Sequence, residues 1–117
     1  FYVNWFRKDD DGGFVWPGFG ENARVLEWVF ERCAGRADAI DTPIGRLPTL
    51  DGINFTDLDL TDDAISTLLK VDIDGWLAEI PLIETYYESF GEKVPDALWE
   101  QLEGLKQRLL ASGEQVA

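Results

Sequence analysis

The sequence predicts an α+β fold in which an N-terminal β-hairpin is followed by about four helices. Three observations carry this prediction. β-forming residues are concentrated at the start of the chain, an Asp-Gly-Gly turn follows them, and apolar residues recur at helical spacing in the second half. The 117 residues have the length of one domain. We expect residues 1–36 and 37–117 to be two parts of that domain, which itself belongs to a longer protein.

The hairpin is predicted from the first residues of the chain. Phe1 to Phe6 is dense in β-forming residues, and Phe14 to Trp16 returns as the second strand. Arg7 to Gly13 lies between them and supplies the turn, because its glycines tolerate positive φ. Pro17 and Gly18 then end the second strand.

Four helices are predicted after the hairpin, with a short strand near Ile44 to Leu47. The predicted helices run from Glu21 to about Cys33, from Thr61 to about Leu69, from Asp72 or Asp74 to Gly91, and from Pro95 to Ser112. Thr and Asp at these starting positions cap free backbone N–H groups. Apolar residues at spacings of three and four in the last two helices predict an antiparallel pair joined by a short loop.

The net charge of −13 is spread unevenly along the chain. Residues 1–36 are close to neutral, and nearly all of the excess acid lies in residues 37–117. Such an acidic chain should repel nucleic acid, since phosphate neutralisation needs clustered Lys and Arg. It could hold a nucleotide base, but the phosphates would need cations from elsewhere. No apolar run is long enough to cross a membrane, so we expect neither nucleic acid nor membrane as a partner.

Metal binding and catalysis are both disfavoured by the residues present. One Cys and no His leave no Cys/His zinc site, and Cys33 is expected to be a small buried side chain on the first helix. Asp57, Asp59 and either Asp62 or Asp63 resemble the start of a calcium loop, but the required glycine and the terminal Glu are missing. No nucleophile has a base nearby in the sequence. We therefore expect no metal site and no catalysis from this segment alone.

Aromatic residues are the most distinctive feature of the chain. Nine of them lie between Phe1 and Phe30, and six lie in the rest. Aromatic faces on a turn-rich backbone before a helix suggest a site for a flat ring, in which Phe6, Phe14 and Phe19 stack and Asn22 reads the ring edge. Two simpler interpretations stay open, namely that the aromatics form a hairpin core and that Asn22 caps the helix.

A family resemblance enters at these residues. NWFRKDDDGGFVWPGFGENARVLEW (Asn4 to Trp28) closely resembles the guanine-binding segment of GTP-dependent phosphoenolpyruvate carboxykinase. TPIGRLP (Thr42 to Pro48) and LKQRLL (Leu105 to Leu110) are similar to the C-terminal end of that enzyme. The resemblance identifies the chain as a C-terminal piece of a much longer parent. By this resemblance the parent would be a cytoplasmic, monomeric lyase of gluconeogenesis.

The resemblance also implies an activity and a set of site residues. The parent enzyme would convert oxaloacetate and GTP into phosphoenolpyruvate, GDP and carbon dioxide, using Mn²⁺ and Mg²⁺ held by residues outside this chain. By the same resemblance, Phe6, Phe14 and Phe19 surround the guanine and Asn22 reads its edge. Backbone around Trp5 and Pro17 would shape the pocket. The alternative function is a non-catalytic module whose aromatic groove binds a peptide or a partner domain.

Overall fold

The computed structural model describes residues 1–116 and has the expected α+β composition. Its four α-helices are α1 (Ala23–Cys33), α2 (Asp62–Leu69), α3 (Ile73–Glu88) and α4 (Asp96–Val116). Two short strands, β1 (Ala39–Thr42) and β2 (Gly45–Pro48), pair as an antiparallel hairpin. Short 3₁₀ turns at Phe19–Glu21 and Gly91–Lys93 precede α1 and α4. The α+β class and the number of helices are therefore confirmed.

The first eighteen residues form a minimal chain reversal in place of two full strands. One antiparallel bridge joins Lys8 to Phe14, and Asp9 closes the turn by accepting a hydrogen bond from the Gly13 N–H at 2.8 Å. The predicted strand limits Phe1 to Phe6 are wrong. The side chain of Asn4 accepts the Phe6 N–H at 2.9 Å, so a local turn takes a donor that a strand ladder would use.

The regular strand pair lies further along the chain than expected. The predicted strand near Ile44 to Leu47 is observed as β2, shifted by one residue, and its partner β1 was not predicted. The turn between them leads into Gly45, the first residue of β2, whose φ of 123° favours glycine. The Thr42 hydroxyl donates a hydrogen bond to the Gly45 carbonyl and so braces this turn.

Residues 1–41 and 46–70 form one compact unit. Its buried hydrophobic side chains are Trp16, Trp28 and Ile53. A Cβ at Gly52 would come within 3.1 Å of the Trp28 indole nitrogen, so glycine permits this close approach. Among the described residues, the same nitrogen is the one buried side-chain polar atom without a hydrogen-bond partner. Cys33, expected to be buried, is exposed because it lies at the last position of α1.

Residues 42–45 and 71–117 form the second compact unit, whose described part is built on α3 and α4. Ile80, Leu102 and Leu109 are its buried core. Tyr87 near the end of α3 packs edge-to-face on Trp99 near the start of α4, with ring centroids 5.2 Å apart. The antiparallel pairing predicted from the apolar spacing is therefore confirmed.

The helix boundaries follow their capping residues closely. Thr61 accepts the Ala64 N–H at 3.1 Å, and Asp72 accepts the Gly75 N–H at 3.0 Å. Both predicted caps are confirmed. The last helix runs past its expected end at Ser112. One glycine is the stop signal at that point, and a single glycine does not end the helix.

Candidate functional site

The candidate site is the segment from Trp5 to Asn22, which contains the Lys8–Phe14 bridge of the N-terminal reversal and ends at the start of α1, within the first compact unit. Its backbone is held by turns rather than by a ladder. Gly18 adopts φ 120°, which favours glycine, and the chain then enters the 3₁₀ turn Phe19–Glu21. This turn delivers Asn22 to the position immediately before α1.

Three phenylalanines of this segment are exposed to an unusual degree. Phe6 is 70% exposed, Phe14 63% and Phe19 91%. The rings of Phe6 and Phe14 meet edge-to-face with centroids 6.0 Å apart, while Phe19 stands separately on its 3₁₀ turn. Burying an aromatic side chain is favourable, so a group of exposed rings is typical of a surface that contacts a ligand or another part of a protein. The interpretation of these three rings as a hairpin core is wrong.

Lys8 lies beside the exposed phenylalanine pair. Its ammonium group is 5.6 Å from the centre of the Phe14 ring, within the range of a cation–π contact. Phe14 therefore has one neighbour on its edge, Phe6, and a cation near its face. Lys8 was not among the residues predicted for the site. Its place in the turn that leads to Phe14 could have indicated it.

Trp5, Trp16 and Asn22 form a second contact group in the segment. The rings of Trp5 and Trp16 pack at a tilt, with centroids 5.7 Å apart. Trp16 is 7% exposed, and its indole N–H donates a hydrogen bond to the Asn22 side-chain oxygen at 2.8 Å. Pro17, which follows Trp16 directly, is exposed. The structure thus brings Asn22 against a tryptophan that the sequence analysis had not selected.

The interpretation of Asn22 as a side-chain cap of α1 is wrong. Asn22 occupies the capping position, but its side chain makes no capping hydrogen bond. The preceding 3₁₀ turn already gives Asn22 helical dihedrals, at φ −61° and ψ −29°, and its backbone carbonyl accepts the Val25 N–H at 3.1 Å. Its side chain is directed to Trp16 instead, and it is half-buried.

A polar anchor ties this segment to the rest of its compact unit. Glu21 and Arg24 form a partly buried ion pair at 2.6 Å, and the Arg24 guanidinium also donates to the Asn54 carbonyl at 2.7 Å. The anchor holds the start of α1 against the loop at residue 54. Because Asn22 lies between Glu21 and Arg24, its backbone is held in place by this pair.

Two other arrangements complete the description of possible sites. An open cleft of about 710 Å³ is lined by residues 50–56 together with Asp62, Ile65 and Ser66, and none of the predicted site residues lines it. Within residues 1–116, no acidic and cysteine side chains gather into a group that could hold a metal ion. No helix in that described part combines the length and apolarity needed to cross a membrane.

The chain matches a known family over most of its length. Residues 1–108 match the family described as the phosphoenolpyruvate carboxykinase C-terminal P-loop domain. The chain is 50% identical over 109 residues to the phosphoenolpyruvate carboxykinase [GTP] of Renibacterium salmoninarum, and 50% identical over 110 residues to that of Chlamydia trachomatis. The Treponema pallidum protein of the same name is 46% identical over 113 residues.

The matched region is a small part of each relative. The alignments cover 93% to 96% of this chain and 18% of each of those proteins. The chain therefore spans less than a fifth of the length of the relatives that it matches.

Proposed function

The chain belongs to the phosphoenolpyruvate carboxykinase family, and from that premise we propose that it forms the guanine-binding part of a GTP-dependent member. The proposed parent reaction converts oxaloacetate and GTP into phosphoenolpyruvate, GDP and carbon dioxide. This segment contributes binding and orientation of the nucleotide base. The proposal includes a cytoplasmic, monomeric enzyme of gluconeogenesis.

One observation carries the proposal, which is the exposure of three phenylalanine rings in the segment that also holds an oriented asparagine amide. Phe6, Phe14 and Phe19 leave their faces open to solvent, whereas Trp16 in the same segment is buried. Stacking on such faces contributes about 1–3 kcal/mol per base and does not distinguish one base from another. The three rings therefore supply affinity for a purine of either kind.

Selection of guanine is assigned to Asn22. Its amide can hydrogen-bond along the edge of the base, where guanine carries a carbonyl oxygen and adenine carries an amino group. A site built to pair with one pattern penalises the other, because polar groups then stay unpaired. Trp5 and Pro17 lie in the same segment and shape the pocket through their backbone.

The remaining parts of a carboxykinase site lie outside this segment. The net charge of −13 and the lack of a G-x-x-x-x-G-K-[ST] phosphate loop both argue that the triphosphate is held by other residues of the parent. The Mn²⁺ and Mg²⁺ ions of the parent do not fit here either, since the described residues offer no group of metal ligands. No chemical step is assigned to this chain.

The proposal is tested by replacing Asn22 with alanine in the full-length enzyme. We expect a raised KM for GTP and a discrimination between GTP and ATP reduced about tenfold, the size of one well-made polar contact. Steady-state kinetics with each nucleotide measures both quantities. Gln107→Ala, which removes an exposed amide from α4, serves as the control and should leave both values unchanged. An unaltered GTP/ATP ratio in the Asn22 variant would contradict the assignment.

The alternative function, a peptide-binding module, gains no support from the relatives, which are named as carboxykinases.

A further inference from the structure

The hydrogen bond between Trp16 and Asn22 fixes the direction in which the Asn22 amide points. An indole N–H can only donate, so the atom that it meets must be the amide oxygen. The oxygen and nitrogen of an amide are otherwise interchangeable by a half-turn of the group. Trp16 removes that ambiguity for Asn22.

The bond is also protected from competition with water. Trp16 is 7% exposed, and the Trp5 ring packs against it at 5.7 Å. Without this acceptor the buried indole N–H would be an unsatisfied donor, which destabilises the folded protein. The orientation of the Asn22 amide is therefore stabilised from the Trp16 side, before any ligand binds.

With its oxygen held by Trp16, Asn22 directs its NH₂ group away from the indole. A planar amide places the nitrogen on the other side of the carbonyl carbon, so the outward group is a donor. A donor pairs with the 6-oxygen of guanine and conflicts with the 6-amino group of adenine. An asparagine free to turn over could offer its oxygen and accept from adenine instead.

We propose that Trp16 is a positioning residue that sets base specificity by holding the Asn22 amide with its NH₂ group toward the base. This inference rests on the proposed function, because it assigns to Trp16 the control of a residue already proposed to read the purine edge. Trp16 itself does not need to touch the nucleotide.

The test uses Trp16→Phe in the full-length enzyme, since phenylalanine keeps an aromatic ring and removes the N–H. We expect the ratio of kcat/KM for GTP to kcat/KM for ATP to fall about tenfold, chiefly through KM. In an Asn22→Ala background the same substitution should change the ratio less than about twofold, because Trp16 acts only through Asn22. Trp99→Phe, which removes an indole from α4, is the control and should have no effect.

Two outcomes of this cycle would overturn the inference. An equal loss for GTP and ATP in Trp16→Phe would make Trp16 a structural support alone. An equal change of the ratio in both backgrounds would mean that Trp16 acts independently of Asn22.

A second variant keeps the inference testable if Trp16→Phe does not fold. Asn22→Asp retains an oxygen for the Trp16 N–H and presents a second oxygen where the NH₂ group was. We expect it to lose GTP activity and to shift the preference toward ATP by tenfold or more. A retained GTP preference would overturn the inference. If the wild-type enzyme itself shows no preference for GTP over ATP, the proposed function fails instead, and the two failures are thus distinguishable.

Discussion

Three phenylalanines of the first compact unit and an aromatic pair of the second differ in how far they are buried. In the first unit Phe6, Phe14 and Phe19 stand largely exposed on a turn-rich segment, whereas in the second Tyr87 and Trp99 pack edge-to-face against a buried aliphatic core. The difference follows from the backbone. α3 and α4 repeat their apolar positions with the helical period and so direct them to one face.

The N-terminal segment has no such period. Its backbone donors are satisfied locally, for example by Asn4 and Asp9, and no helix face or sheet dictates where each ring points. On the helices the period decides which aromatic side chains face the core, whereas on the irregular segment burial differs from one residue to the next: Trp16 is 7% exposed and Phe19 91%.

The largest expected effect is a loss of stability, and it tests the buried core of the second unit. Leu109 is fully buried, so Leu109→Ala should lower the free energy of unfolding by about 2–5 kcal/mol through lost contacts and a cavity. Denaturant unfolding of the full-length protein measures this change. Leu110→Ala is the matched control. Leu110 follows Leu109 on α4 but is 39% exposed, so its replacement should lower the free energy of unfolding clearly less. A similar loss in both variants would contradict the assignment of the core.

Phe19→Ala tests the exposed phenylalanines of the first unit. Because the ring is 91% exposed, its removal should change the free energy of unfolding by less than about 0.5 kcal/mol. Binding of GTP and ATP should weaken together by about 1–3 kcal/mol, since stacking does not select a base. Calorimetric titration with each nucleotide checks the prediction. A loss confined to one nucleotide would contradict a pure stacking role.

The smallest expected effect concerns the ion pair between Glu31, in the last turn of α1, and Arg36, just after that helix. The Arg36 guanidinium hydrogen-bonds the Glu31 carboxylate at 2.7 Å and lowers the pKa of Glu31. A lowered folded-state pKa stabilises the protein above the unfolded pKa of Glu, and this contribution disappears as the pH falls through the lowered value. Arg36→Gln should therefore reduce Tm slightly at neutral pH and not at all in strong acid.

Measuring Tm at high salt provides the control for the Arg36–Glu31 ion pair. Both side chains are solvent-exposed, so high ionic strength should shrink the Tm difference at neutral pH. A difference that persists in strong acid or in high salt would point to packing of the Arg36 side chain rather than to charge.

The fold was predictable where a local signal and a period agree. Thr61 and Asp72 begin helices because their side chains accept backbone N–H groups, and α3 and α4 pair as their spacing indicates. The hairpin at β1 and β2 was only half predicted, because each strand has four residues and Ile40 points to solvent. The strand at Phe1 to Phe6 failed because Asn4 captures a backbone donor there, against the β-propensity of its neighbours.

The candidate site was predictable as a set of residue types but not as a geometry. The density of aromatics around Asn22 is what indicates this segment in the sequence. The contact between Trp16 and Asn22 depends on the turn at Gly18, whose φ of 120° cannot be deduced from spacing. The same turn explains why the usual expectation of a helix cap failed at Asn22.

The most direct measurement of the central claim is a crystal structure of the full-length enzyme with bound GDP. We expect the guanine ring to contact Phe6, Phe14 and Phe19, with its 6-oxygen within hydrogen-bond distance of the Asn22 side-chain nitrogen and the Trp16 N–H still on the Asn22 oxygen. A guanine bound away from these rings, or an Asn22 amide turned with its oxygen toward the base, would contradict the account.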